Sequence, residues 1–249
     1  LKATDYERIG LVKACLGYDR NFIIDTINNK TGTGGIMSTI YGLMLAASND
    51  YVSPDRITEI ADSLVSLQMA DGGWNLSGAY SDADVTAMAL QALSAVRAYG
   101  YEDNIQKGVG RLASLQKDDA GYASYGVNNS ESTAQVLMAL CALNIDYRTD
   151  TRFIKNGHTV LDALMGYRTS EGAFSHTKDG KSNALATTQA LGALVCADNY
   201  EKHCTFIYRY GNIQSRPVQK ETQPDVKPSP EQPAETEPSH SYDGSIAAT

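Results

Sequence analysis

Residues Ser66-Leu67-Gln68-Met69-Ala70-Asp71-Gly72-Gly73-Trp74 decide the fold of this chain, because their pattern returns twice. It reappears as Ser114-Leu115-Gln116-Lys117-Asp118-Asp119-Ala120-Gly121-Tyr122 and as Gly166-Tyr167-Arg168-Thr169-Ser170-Glu171-Gly172-Ala173-Phe174. Each copy reads as a helix end, an acid, a glycine and an aromatic. A short polar loop follows each, and then an almost wholly apolar segment: Val85 to Leu93, Ser132 to Leu140, and Ala186 to Leu194. Thr86, Thr133 and Thr187 hold equivalent places in these segments. A degenerate copy, Gly34-Gly35-Ile36-Met37-Ser38-Thr39, precedes them, and the Thr39–Thr86 and Thr86–Thr133 separations are both 47 residues. Regular self-similarity at that period marks a repeat architecture.

Segments of another kind lie between the apolar ones. Ile57, Ile60, Ala61, Leu64 and Leu67 recur at helical spacing, with Glu59 and Asp62 at polar positions. The series Ile105, Val109, Leu112, Leu115 and Val160, Leu161, Leu164, Met165 repeat that stripe, which predicts amphipathic helices. Ser53-Pro54 supplies an N-cap residue followed by proline at the first helical position. No strand-like alternation appears, so the expected class is all-α. Helices apolar all round need cover on both flanks, whereas amphipathic ones need one covered face, so alternating the two predicts two layers. A double ring of inner and outer helices is the simplest closed arrangement, and a linear solenoid of helix pairs is the alternative. Gly73, Gly121 and Gly172 are expected to allow the reversal between layers, with Trp74, Tyr122 and Phe174 wedged between repeats.

The chain has 249 residues, 42% of them apolar, and 21 basic against 29 acidic side chains, a net charge of −8. That is ample material for one core. No basic stripe exists to neutralise phosphates, which argues against nucleic-acid binding. Six of the seven prolines fall between Pro217 and Thr249, among acids, Ser and Thr with little aliphatic mass. Such a segment cannot offset its conformational entropy by burial. The expected organisation is a repeat domain over 1–213 and a disordered acidic linker or stalk over 214–249. With Leu1 in place of an initiator Met and no apolar run long enough to span a bilayer, the chain is expected to be part of a larger, exported, surface-anchored protein.

Cys15, Cys141, Cys196 and Cys204 lack zinc-ligand spacing. Cys141, within an apolar run, is expected to be a buried small hydrophobe. Cys196 and Cys204 form a disulfide only if the compartment is oxidising and the geometry allows it. No metal and no cofactor are expected.

The Gln68-x-x-Asp71-Gly72-Gly73-Trp74 block resembles the QW-type repeat of the terpenoid cyclase and protein prenyltransferase superfamily, whose members are α/α toroids. The resemblance covers roughly residues 1 to 210. It is carried further by Thr4-Asp5-Tyr6-Glu7-Arg8, by Ser81 to Leu93 and by Asn183 to Leu191, which are similar to the toroid domains of Gram-positive surface proteins and of cobalamin carriers. The recognisable repeats supply fewer helices than a complete toroid, so an apolar seam is expected if the ring stays open.

Catalysis is weighed on Asp82-Ala83-Asp84-Val85-Thr86-Ala87. It resembles the D-x-D-D-T-A signature of class II terpene cyclases, in which an unusually acidic carboxyl protonates an alkene. Asp84 takes the acid's place and Asp82 the first aspartate's, but Val85 replaces the third. Asp82 and Asp84 also suit helix capping. The zinc ligands of the prenyltransferases and the Cys-Gly-Glu-Gln motif of thioester proteins are absent, and His158, His176 and His203 read as solvated or capping residues. The expected function is a non-catalytic extracellular module that binds a small molecule or protein, with cobalamin-like ligands implied by resemblance alone. The alternatives are an Asp84-dependent cyclase-like enzyme and a structural spacer. The expected ligand surface comprises Tyr41, Trp74, Tyr80, Asp82, Asp84, Tyr122, Tyr125, Glu131, Gln135, Asn183 and Gln189, at the N-terminal ends of the apolar helices. Gln135 and Gln189, at one repeat position, equally suit a bond between neighbouring helices.

Overall fold

The computed structural model describes residues 1–201, and the expected linker over 214–249, the boundary near Ile213 and Cys204 lie outside them. The described chain is largely helical, with α1 Ala3–Cys15, α2 Arg20–Asn29, α3 Ile36–Ala47, α4 Pro54–Ser66, α5 Ala83–Ser94, α6 Glu102–Leu115, α7 Ser130–Ala142, α8 Val160–Met165 and α9 Ala184–Glu201. Two three-residue strands, β1 Tyr122–Ser124 and β2 Val127–Asn129, form an antiparallel hairpin before α7. The sequence reading missed that hairpin, because strands this short cannot display a period of two. Its turn residues, Tyr125 and Gly126, both have positive φ, 49° and 81°, as a two-residue hairpin loop requires.

Alternate helices form a row, with α1 packing on α3, α3 on α5, α5 on α7 and α7 on α9. The helices between them lean on that row, α4 on α3, α6 on α5 and α8 on α7. Burial follows the two helix types. α3, α5 and α7 are buried along most of their length, including Leu43, Leu90 and Leu137, whereas α4 buries Ile57, Ile60, Ala61 and Leu64 on one side and α6 buries Ile105, Val109 and Leu112. The stripe ends earlier than its spacing suggests. Leu67 and Met165 stand exposed because their helices terminate there and the chain turns away. Ser53 caps α4 through the Arg56 amide, with Pro54 at the first helical position. Cys141 is fully buried, and burial pushes its thiol up to about 12. Among the described residues no helix is long and apolar enough to cross a membrane.

The turns after α4, α6 and α8 are the same structure built three times. In the first, the Met69 amide donates to the Gly73 carbonyl, and the Gly72 amide donates back to that of Met69. Lys117, Gly121 and Ala120 repeat this, as do Thr169, Ala173 and Gly172. The left-handed residue is Gly72, Ala120 or Gly172, with φ of 88°, 62° and 84°. The reversal therefore sits one position before Gly73 and Gly121. Gly73 is needed for a different reason: a Cβ there would lie 2.5 Å from that of Ser81 and 2.7 Å from Thr86 Oγ1. Gln68 Nε2 donates to its own turn at Gly72 O and to Asn104 O of α6, and Gln116 Nε2 donates likewise to Ala120 O and Phe153 O. The repeated glutamine thus joins the first two turns to the segment that follows, and Arg168 takes its place in the third.

Candidate functional site

Three of the expected site residues meet where α5 and α7 begin side by side. Asp82 is the N-cap of α5, its Oδ1 accepting from the Val85 amide at 3.0 Å. Its other oxygen accepts from Ser124 Oγ of β1 at 2.7 Å, so one carboxylate both caps a helix and ties it to the next repeat. Asp84, one turn position inward, is held differently. Its Oδ1 is buried without a hydrogen-bond partner. Burial pushes its carboxyl up to about 6; the negative charges of Asp82 and Glu131 add to this, while the Ser132 hydroxyl and His176 oppose it.

Glu131 lies in the first turn of α7, whose N-cap is Asn129. Its Oε2 is 2.8 Å from His176 Nδ1 and 3.0 Å from Ser130 Oγ. Ser130 Oγ is also 2.8 Å from the Ser175 carbonyl, and the Ser130 amide donates to the His176 carbonyl. His176 itself keeps about half its side chain in solvent, whereas that of Glu131 is 12% exposed. The result is a group of carboxyl, imidazole and hydroxyl functions that runs from a desolvated acid to an open histidine. Two large aromatics stand in solvent nearby in sequence: Tyr80, on the loop leading into α5, is 78% exposed, and Tyr125, at the hairpin tip, is 83% exposed. The Tyr80 loop is braced by Asn75 Nδ2, which donates to the Tyr80 carbonyl at 2.7 Å.

Other expected site residues are placed elsewhere. Trp74 and Tyr122 are completely buried, so neither can touch a ligand in this conformation. Trp74 Nε1 donates to Leu64 O at the end of α4 and its ring lies against Gly108 of α6, while burial drives the Tyr122 phenol well above its usual range. Gln135 and Gln189 are bonded to each other at 3.0 Å, and Gln91 Nε2 donates to Gln135 Oε1 at 2.9 Å, which makes a side-chain chain across α5, α7 and α9. Asn183 accepts from the Ala186 amide at the start of α9. Tyr41 belongs to a separate group on α1 and α3. The Arg8 guanidinium lies 5.9 Å from its ring centre, and burial raises its phenol.

In that second group Glu7 is fully buried. Its Oε1 accepts from Ser38 Oγ at 2.6 Å, its Oε2 has no partner, and burial pushes the carboxyl up to about 7.

His176, Ser124 and Ser130 escaped sequence reasoning. His176 stands 45 positions from Glu131 and Ser124 stands 42 from Asp82, and no local pattern links such pairs. The repeat could have offered a hint, since both contacts join one repeat's turn to its neighbour. Among the described residues no group of three or more His, Cys, Asp or Glu side chains is arranged to hold a metal ion. No family model matches the chain, and no curated protein matches it.

Proposed function

We propose that this chain is an α/α-toroid-type repeat module, similar to the prenyltransferase and squalene-cyclase repeats, that binds a polar extracellular ligand where α5 and α7 begin. The observation that supports this reading is the unpartnered, buried Oδ1 of Asp84 beside the Glu131–His176 pair. The half-exposed His176 imidazole is the part of this group that a ligand reaches. Tyr80 and Tyr125 offer stacking faces at low entropic cost to a sugar, a planar macrocycle or a protein loop. The module acts as an exported domain displayed on the 214–249 stalk, and a cobalamin-like ligand follows from resemblance only. A thermal-shift and calorimetric screen of the full chain against corrinoids, oligosaccharides and peptidoglycan fragments tests it, because a ligand of the native state raises Tm by mass action. The expected hit is weakened at least tenfold by Tyr80→Ala or Tyr125→Ala. Absence of any hit favours the spacer reading.

One observation favours a second reading. A carboxyl raised to about 6 is suited to proton donation near neutral pH, as a cyclase-like acid at Asp84 requires. Turnover of an isoprenoid substrate that Asp84→Asn abolishes would establish this reading in place of the first.

A further inference from the structure

A buried carboxyl joins the first helix of the row to the second through one serine. Glu7 of α1 is fully buried, its Oε2 has no partner, and no cation pairs with it among the described residues. The cations of this junction are turned to aromatic rings instead. Arg8 of α1 lies 5.9 Å from the ring centre of Tyr41 of α3, and Lys30, at the end of α2, lies 5.1 Å from that of Tyr6. A buried carboxylate without a cation is costly, so the pocket fits the neutral acid. The geometry at Ser38 agrees. Its Oγ accepts the Gly32 amide at 2.9 Å and lies 2.6 Å from Glu7 Oε1 and 2.9 Å from the Lys30 carbonyl. A hydroxyl has one proton and two lone pairs. When Glu7 holds its proton, the acid donates to the second lone pair and the serine proton goes to Lys30. When Glu7 is ionised, that one serine proton has to serve two acceptors.

The same serine holds the loop that enters α3. Thr31, at its start, is anchored, because a Cβ on Gly42 of α3 would strike its side chain. Beyond it, Gly32 and Gly35 have φ of 80° and 73°, and α3 begins at Gly35 without a side-chain cap. The loop also lies on the start of α1, since a Cβ at Gly34 would stand 3.2 Å from that of Ala3. We infer that the proton on Glu7 latches the 32–35 loop to α3 through Ser38, and that ionisation of Glu7 releases it. An ionised Glu7 draws the Ser38 proton away from Lys30, whose carbonyl keeps the Thr33 amide and hydroxyl. It also needs water at Oε2, and solvation of that oxygen opens the contact between α1 and the loop. The glycines then let the freed backbone take other conformations. The charged and titratable groups that face the junction are Tyr6 and Arg8 of α1, Lys30 at the end of α2 and Tyr41 of α3. Burial pushes the Glu7 carboxyl up to about 7, which places the release near neutral pH.

Nitrogen-15 relaxation of the full chain tests this locally, apart from any change in global stability. Backbone order parameters over 32–35 are expected to be about 0.85 at pH 5.5 and below about 0.6 at pH 8. Glu7→Gln, whose amide donates to Ser38 at either pH, is expected to keep the higher value at both. Order that does not fall in the parent, or that falls equally in Glu7→Gln, overturns the inference. A second measurement needs no variant. The carbon-13 shift of the Glu7 carboxyl and the proton shift of the Gly32 amide are expected to titrate together, with one midpoint at about 7. Separate midpoints, or a Gly32 amide that does not titrate, overturn the inference as well.

Discussion

Thr86 Oγ1 accepts the backbone amide of Trp74 at 2.9 Å and lies 3.2 Å from the Trp74 carbonyl, so one hydroxyl on an inner helix fixes the turn that precedes it. Thr133 accepts the Tyr122 amide at 3.1 Å and Thr187 the Phe174 amide at 2.9 Å. This contact explains why threonine recurs at that position. It also explains Gly73, since any side chain there would strike the Thr86 hydroxyl.

Replacing Thr86 with Val keeps the shape and removes the acceptor, which leaves the buried Trp74 amide unpaired. The expected cost is about 1–3 kcal/mol, read as a lower urea midpoint with an unchanged slope. Thr86→Ser keeps the hydroxyl and should retain most of the stability. Equal losses in the two variants would remove the hydrogen bond as the cause.

Gly73→Ala forces a methyl to within 2.5 Å of Ser81 Cβ. Overpacking of this kind costs roughly 1–3 kcal/mol. Gly110→Ala, where a Cβ meets nothing within 4 Å, is the control and should be neutral or slightly stabilising through helix propensity. Chemical denaturation of both variants makes the comparison.

The Gln91–Gln135–Gln189 chain joins three helices of the row. Gln135→Leu removes the side-chain acceptor of the Gln91 amide, which is only 4% exposed and keeps its 3.2 Å bond to the backbone carbonyl of residue 135, at an expected cost of about 0.5–1.5 kcal/mol. A double-mutant cycle between Gln135 and Gln189 should return a coupling of roughly 0.5–1.5 kcal/mol. A coupling of zero would mean that the contact contributes no stability.

Glu7 links stability to pH. Its carboxyl is raised from 4.5 to about 7 by burial, opposed by the Ser38 hydrogen bond, while Arg8 and Tyr41 lie in the same group. The folded state therefore holds its proton more tightly than the unfolded state. The contribution is full below about pH 4.5 and is lost as pH rises through about 7, on the order of 2 kcal/mol in all. Glu7→Gln should flatten the profile of Tm over this window and be more stable than the parent at pH 8. Asp84, raised from 3.8 to about 6, acts in the same direction, so Asp84→Asn should raise Tm at pH 7. An unchanged profile in Glu7→Gln would show that this carboxyl does not titrate in the window.

Much of the fold was legible because it rests on short-range rules. The i, i+3, i+4 stripes of α4 and α6 locate their buried faces, Ser53-Pro54 marks the start of α4, and the recurring acid, glycine and aromatic mark three equal turns. These features depend on residues within a turn or two of one another, and the chain carries them in its local order. The candidate site was legible in part. Asp82, Asp84 and Glu131 declare themselves as acids at helix starts, but local order says nothing of the Ser124 and His176 partners that hold them.

The sequence by itself determined the helical class, the repeat and the residues that cap and turn each unit. Only the tertiary structure decided which side chains see solvent. Leu90, Leu137 and Leu191 stand in nearly the same local sequence, yet two are buried and one is open, because burial is set by the element that arrives from the next repeat. Trp74 and Tyr122, polar enough at one end to suggest a ligand surface, are sealed for the same reason, while Tyr80 and Tyr125, placed on loops, remain in water. Periodicity assigns each helix a face, and long-range packing decides whether that face is covered.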